Sequence, residues 1–230
     1  MDEKKLSKNF FKTYAKYCYP VLFFVLVVMV VLMISYNNLA QNVILSLNAV
    51  DLDEISRINT EFIGNQLLSF NIFIFACVVP IIIALLMSTY DKNSEVKEEA
   101  STTELFTSKT IAGSLFIILP FLANAIMFTI LLLGGFFGSY QSEMIIRLVT
   151  TTLFGLALSM LTFMLITIIN ISIKNPVIDS LLTLAITLFV VQLFFKSIIP
   201  IWLLIAIIIV VWLALTYFAY SISKKKTKTK

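Results

Sequence analysis

Long apolar runs separated by short polar segments dominate the pattern along this chain. The runs lie at about Pro20 to Tyr36, Gln66 to Met87, Ile111 to Leu133, Met144 to Ile171, Val177 to Phe195 and Ile199 to Tyr220. Each approaches or exceeds the roughly 20 residues that a helix needs to cross about 30 Å of hydrocarbon. None shows the alternation of a transmembrane barrel strand. Because backbone polar groups in lipid must be satisfied within the protein, the pattern predicts an all-α integral membrane protein with six transmembrane helices. Residues 20–220 would form one membrane domain, preceded by a cytoplasmic amphipathic helix at 1–19 and followed by a basic cytoplasmic tail at 221–230. The first run does not read as a cleaved leader: it starts late, lacks a small-x-small site after it and follows a polar, helix-like segment.

The polar segments carry their own periodicities. In "KKLSKNFFKTYAKY", Leu6, Phe10 and Tyr14 recur every four residues beside Phe11 and Tyr17, while Lys5, Lys8, Lys12 and Lys16 occupy another face. That pattern fits a helix lying in the membrane interface; the plainer alternative is a basic topogenic leader. The segment 37–65 reads as the longest outside loop, with Ile55, Ile58 and Phe62 at helical spacing beside Asp51, Asp53, Glu54 and Glu61. A small amphipathic surface helix is expected there, its acids either solvated or touching an exported ligand. "LLLGGFFGSYQSEMIIR" places Gly134, Gly135 and Gly138 in a tight outside connection and lacks the Lys-Ser/Thr of a phosphate loop. In "KNPVIDS", Asn175 can cap a helix whose first residue is Pro176, with Asp179 in the first turn, where the helix dipole favours a carboxylate. In "KEEASTTELFTSKT", residues 97–110, Ser101 and Glu104 form a capping box and Leu105 and Phe106 an apolar edge. This predicts a short cytoplasmic helix between spans 2 and 3.

Composition reinforces the membrane assignment: 60% of residues are hydrophobic and only 13% charged, against about half and a quarter in soluble domains. Charge placement then sets orientation. Segments 1–19, 88–110, 172–176 and 221–230 hold all the Lys and Arg except Arg57, Arg147 and Lys196, so both termini should be cytoplasmic. The net charge of +4 therefore reports topology and contact with anionic lipid rather than nucleic-acid binding. Cys18 and Cys77 have no metal or redox spacing, and the chain has no histidine, which removes Ser-His-Asp and Cys-His chemistry and most zinc sites. Polar residues within the spans are few: Asn65, Gln66, Asn71, Asn124, Thr150 to Thr152, Asp179 and Gln192. Asn71, Asn124 and Gln192 are candidates for helix glue or for lining a translocation path. Pro80 and Pro120 should each kink their spans.

With "EEASTTELFTSKTIAGS" after span 2, "INISIKNPVIDSLL" between spans 4 and 5 and "FFKSIIPIW" before span 6, the chain resembles the ABC-2 type family of ABC-transporter permeases. Glu98 and Glu99 match the family's acidic pair, and Ala100 and Ser101 stand for its usual Gly-Thr. Glu104, Leu105 and Phe106 match its coupling helix, and Ser108 and Lys109 replace the Pro and Arg that follow. The resemblance implies a bacterial, multi-pass cell-membrane permease that is not an enzyme and binds no cofactor of its own, ATP and Mg being held by a partner ABC ATPase subunit. It implies that Glu98, Glu99, Ser101, Glu104, Leu105, Phe106 and Lys109 dock on that ATPase. It also implies pairing with a second permease chain, identical or a sister, through spans 2 and 5. The cargo implied is amphipathic peptide, antimicrobial or lipid-like, moved outward as in peptide export and bacteriocin self-immunity. The rival readings are a membrane subunit of an importer, a non-transporting membrane partner, and an intramembrane enzyme, which would need a His or a second acid at membrane depth.

Overall fold

The computed structural model describes residues 3–48, 51–93, 102–173, 176–196 and 199–228, and every regular element among them is helical. Helix α1 (Glu3–Leu47) is one 45-residue helix that passes through Pro20. The segment expected to lie separately in the interface is thus continuous with the first span. Proline deletes one intrahelical bond, but its fixed φ suits a helix. The helix ends on Asn48, whose left-handed φ of 48° is the conformation that helix C-termini adopt.

The next element is α2 (Leu52–Asn59), capped by Asp51, whose side chain accepts from the backbone N–H of Asp53 at 3.2 Å. Asp53 and Glu54 lie in the first turn, where the dipole favours acids. The expected amphipathic helix is therefore present, but the long loop around it is not. The helix runs on through a π-helical stretch (Thr60–Leu67), α3 (Leu68–Phe73), a second π-helical stretch (Ile74–Val78) and α4 (Val79–Asn93). Ile58, Thr60, Ile63 and Gly64 are buried, so this segment is held against the bundle. The second π stretch ends just before Pro80, a wide turn where the proline would otherwise crowd the carbonyl four residues back.

Helix α5 (Thr102–Leu133) absorbs the short helix predicted between spans 2 and 3. Nothing between Thr102 and Ile111 breaks a helix, and Thr110 Oγ1 donates back to the carbonyl of Phe106 at 2.9 Å. Glu104, Leu105, Phe106 and Lys109 are accordingly in the opening turns of a spanning helix. The far end of α5 closes with two backbone bonds, Gly135 N–H to the Leu132 carbonyl and Phe136 N–H to that of Leu131, each 3.1 Å. Gly135 sits at φ +70°, the left-handed position that glycine fills without strain. Helices α6 (Gln141–Ile173), α7 (Pro176–Phe195) and α8 (Ile201–Lys228) complete the bundle. Pro176 opens α7, as its sequence predicts, and the 221–228 part of the basic tail prolongs α8.

Among the described residues five stretches are long and apolar enough to cross a membrane: Tyr14–Leu47, Leu52–Met87, Phe106–Leu133, Gly138–Ile169 and Ile201–Ser221. The predicted fifth span coincides with α7, of which the described apolar part, Ser180–Leu193, is shorter.

Helices α5 and α6 are antiparallel neighbours locked by aromatic rings on small residues. A Cβ at Gly113 of α5 would run into the ring of Phe163 of α6, and a Cβ at Gly155 of α6 would lie 2.6 Å from the ring of Phe121 of α5. Gly113 and Phe121 stand about two turns apart on one helix, and Gly155 and Phe163 do so on the other. The two contacts are therefore mirror partners, and such small residues let membrane helices approach closely. The segments 51–59 and 134–140 meet at one end, where Asn59 Nδ2 donates to the Phe136 carbonyl at 3.3 Å and the Ser139 hydroxyl donates to Asp53 Oδ1. Towards the opposite end α1 packs on α5 and α4, with the Tyr19 ring edge-on to Phe116 at 5.3 Å and Lys16 and Pro20 across a groove from Ile82 and Leu86.

Candidate functional site

Two of the three polar span residues singled out in the sequence meet inside the bundle. Asn71, on α3 between the two π-helical stretches, donates from Nδ2 to Oδ1 of Asn124 on α5 at 2.8 Å. Both residues are fully buried. The bond joins helices 53 positions apart in sequence and sits in an apolar setting. The Phe75 and Phe121 rings pack edge-on at 5.6 Å, and Ile72 approaches Gly155 from the same helix as Asn71. Each amide carries three hydrogen-bonding hydrogens and lone-pair positions beyond the single contact it makes here. Asn71 Oδ1 and Asn124 Nδ2 are buried and unpaired, as is Oγ1 of Thr152 on α6. Three helices thus bring spare donors and acceptors into the bundle, the property that either a polar lock or a polar step in a path requires. The π-helical stretches flanking Asn71 add to this, since such turns recur at functional sites.

A second polar contact crosses from α6 to α7, where the hydroxyls of Thr162 and Thr187 lie 3.4 Å apart, both buried. Each also donates to a carbonyl in the preceding turn of its own helix, Thr162 to Leu158 at 2.8 Å and Thr187 to Thr183 at 2.6 Å. They are satisfied internally and serve packing. Gln192 does not join either group: it is exposed on α7. Asp179 lies in the first turns of α7, in keeping with the expected dipole contact, but its side chain is outside the described residues.

No protein-family profile, curated protein or solved structure matches the chain. The site is therefore characterised by the residues of this chain alone. Of the predicted docking set, Glu98, Glu99 and Ser101 lie outside the described residues, as do the side chains of Glu104 and Leu105. The helix begins at Thr102, immediately after the predicted cap. Phe106 is half-buried and packs on the core. Ser108 and Lys109 are only 4% and 7% exposed, and Lys109 is engaged by a neighbour. Lys109 therefore anchors the start of α5 within the chain and offers little surface to a partner. Its burial could not be read from spacing alone, because the face that α5 turns inward depends on where α1 and α4 lie.

Sequence inspection also passed over Arg147, half-buried on α6 with Nε shielded and unpaired. The sequence signal was available: it is the one basic residue inside a predicted span. Cys18 and Cys77 are both buried, which agrees with their reading as small hydrophobes. Among the described residues no group of three His, Cys, Asp or Glu side chains comes together to hold a metal ion.

Proposed function

We propose that this chain is the membrane-spanning permease subunit of an ATP-driven exporter, moving amphipathic peptide, antimicrobial or lipid-like cargo outward when coupled to a separate ABC ATPase subunit that holds ATP and Mg. In this reading α7 also spans the membrane, as the fifth of six helices, and both termini face the cytoplasm of a bacterial cell. A second permease chain, identical or a sister, completes the pathway.

The observation that supports the reading most is the sorting of charge between the two ends of the bundle. Tyr19 of α1 lies against Phe116 of α5, and Lys16 of α1 across a groove from Leu86 of α4, so the start of α1, the end of α4 and the start of α5 point the same way; the adjoining sequence carries Lys4, Lys5, Lys8, Lys12 and Lys16 and the segment 94–101. The other end carries Asp51, Asp53, Glu54 and Glu61. Positive residues are retained on the cytoplasmic side, so 94–101 faces the compartment in which an ATPase hydrolyses ATP. Glu98, Glu99, Ser101, Glu104, Leu105 and Phe106 then form the docking surface. Because 102–110 is continuous with α5, a push on it is passed along a rigid rod towards Asn124. A rigid helix with two alternative packings can transmit such a push, as in other domain movements.

Purification of the tagged full chain in mild detergent tests the proposal. A stoichiometric ATPase with hydrolysis stimulated by the complex is the expected result, and replacement of Glu98, Glu99 and Glu104 by Lys should release it while the membrane chain stays folded. Consistent absence of an ATPase, or one retained unchanged by the triple variant, would remove the coupling role.

A further inference from the structure

An open groove of about 540 Å³ runs between α1 and α4, lined by Lys16, Pro20, Val21 and Phe24 of the first and Ile82 and Leu86 of the second. Five of these six residues are apolar, and none of the lining residues among those described is an acid. Phe24 is 64% exposed and Ile82 38% exposed, so the groove lies open at the outer surface of the bundle. Its one charged residue, Lys16, is exposed, as is Lys12 one turn earlier on α1. Neither makes an ion pair or hydrogen bond with a described residue.

We infer that this groove binds one anionic phospholipid, with an acyl chain along Pro20, Val21, Phe24, Ile82 and Leu86 and the headgroup phosphate on Lys16, supported by Lys12. An acyl chain gains nothing from merely touching lipid-facing side chains, because bulk lipid offers the same contacts. Selection has to come from the headgroup, and basic residues at the cytoplasmic surface attract anionic lipid. Lys16 is placed for this, because its long stem can lie along the apolar wall while the ammonium reaches the headgroup layer. Pro20 adds a second feature: lacking an N–H, it leaves the carbonyl of Lys16 without its usual donor one turn on. A glycerol headgroup carries hydroxyls that can donate to that oxygen. The site does not rest on the transporter reading, since it needs only that residues 12–24 cross from interface to hydrocarbon.

Native mass spectrometry of the full chain, released from micelles doped with phosphatidylglycerol or with phosphatidylcholine of the same acyl chains, tests the assignment. One phosphatidylglycerol should be retained at concentrations that leave phosphatidylcholine unbound. Lys16→Gln should weaken retention about five-fold, and Lys12→Gln added to it about five-fold again, from the usual attraction per lysine near an anionic surface. Ile82→Trp, which fills the groove at an exposed position, should abolish retention, while Lys196→Gln should leave it unchanged. Equal retention of the two lipids, an undiminished signal in Lys16→Gln, or a chain dimer carrying no lipid would each overturn the assignment.

Discussion

Replacing Asn71 and Asn124 by Leu, singly and together, isolates the polar contact at the centre of the bundle. The native pair makes one bond of 2.8 Å and leaves Asn71 Oδ1 and Asn124 Nδ2 unpaired, with both residues fully buried. Asn71→Leu strands Asn124 Oδ1 as well, and Asn124→Leu strands Asn71 Nδ2. Leaving a buried polar group unsatisfied costs about 1–3 kcal/mol. Interhelical hydrogen bonds in membrane proteins average about 0.6 kcal/mol and reach about 1.7 kcal/mol. Each single variant should therefore lose about 1–2 kcal/mol. The double variant removes all four polar atoms at similar volume and should fall close to the wild type, because removing both partners of a buried bond is nearly neutral. The coupling energy, the double loss minus the two single losses, is then negative by roughly 2–4 kcal/mol. Reversible unfolding in mixed micelles measures it. Losses that add to within about 0.5 kcal/mol would show that the two amides do not interact. If the proposed export holds, the same variants separate lock from path: a double variant that folds and still exports leaves the pair a structural lock, whereas one that folds without exporting places it in the path.

Other outcomes follow from packing. Gly113→Ala and Gly155→Ala should each destabilise by about 1–3 kcal/mol in the same assay, because the added carbon meets the ring of Phe163 or Phe121 at the α5–α6 contact. Gly64→Ala should cost less, as it meets the Met144 side chain, Sδ at 2.5 Å, and an unbranched thioether can move aside. Gly135→Ala should lose about 1 kcal/mol through its positive φ of 70°, read as a lower midpoint of unfolding. Cys18 and Cys77, both fully buried, should resist a maleimide in the folded chain and react on denaturation; rapid labelling of the native chain would contradict the packing of α1 and the α3–α4 rod.

The sequence by itself determined the class of protein and most of its helices. Apolar runs of spanning length leave the backbone no other way to satisfy its polar groups in lipid, so the helical bundle was legible from hydropathy alone. Local chemistry was legible too: the Asp51 cap, the glycine turn after α5 and the proline start of α7 depend only on neighbours in the chain. The boundaries expected between a surface helix and a span are absent, because the chain stays helical across 3–47 and 102–133, Pro20 in the first costing one internal bond without ending the helix. A polar stretch in a helix looks like a loop from composition, yet a helix that leaves the membrane keeps its hydrogen bonds in water as well as in lipid.

Only the tertiary structure decided which polar residues meet. Asn71, Asn124 and Gln192 are alike in sequence, each an amide in an apolar run. The packing pairs the first two and leaves Gln192 on the surface, because a contact between helices depends on their relative height and rotation. It likewise turned Lys109 inward and opened the groove beside Lys16. Hydropathy reports what each residue loses or gains in lipid, and that sum is indifferent to rotation about a helix axis. The rotation is set by shape, here by rings of α5 and α6 seated on each other's glycines, and shape exists only once the helices are together.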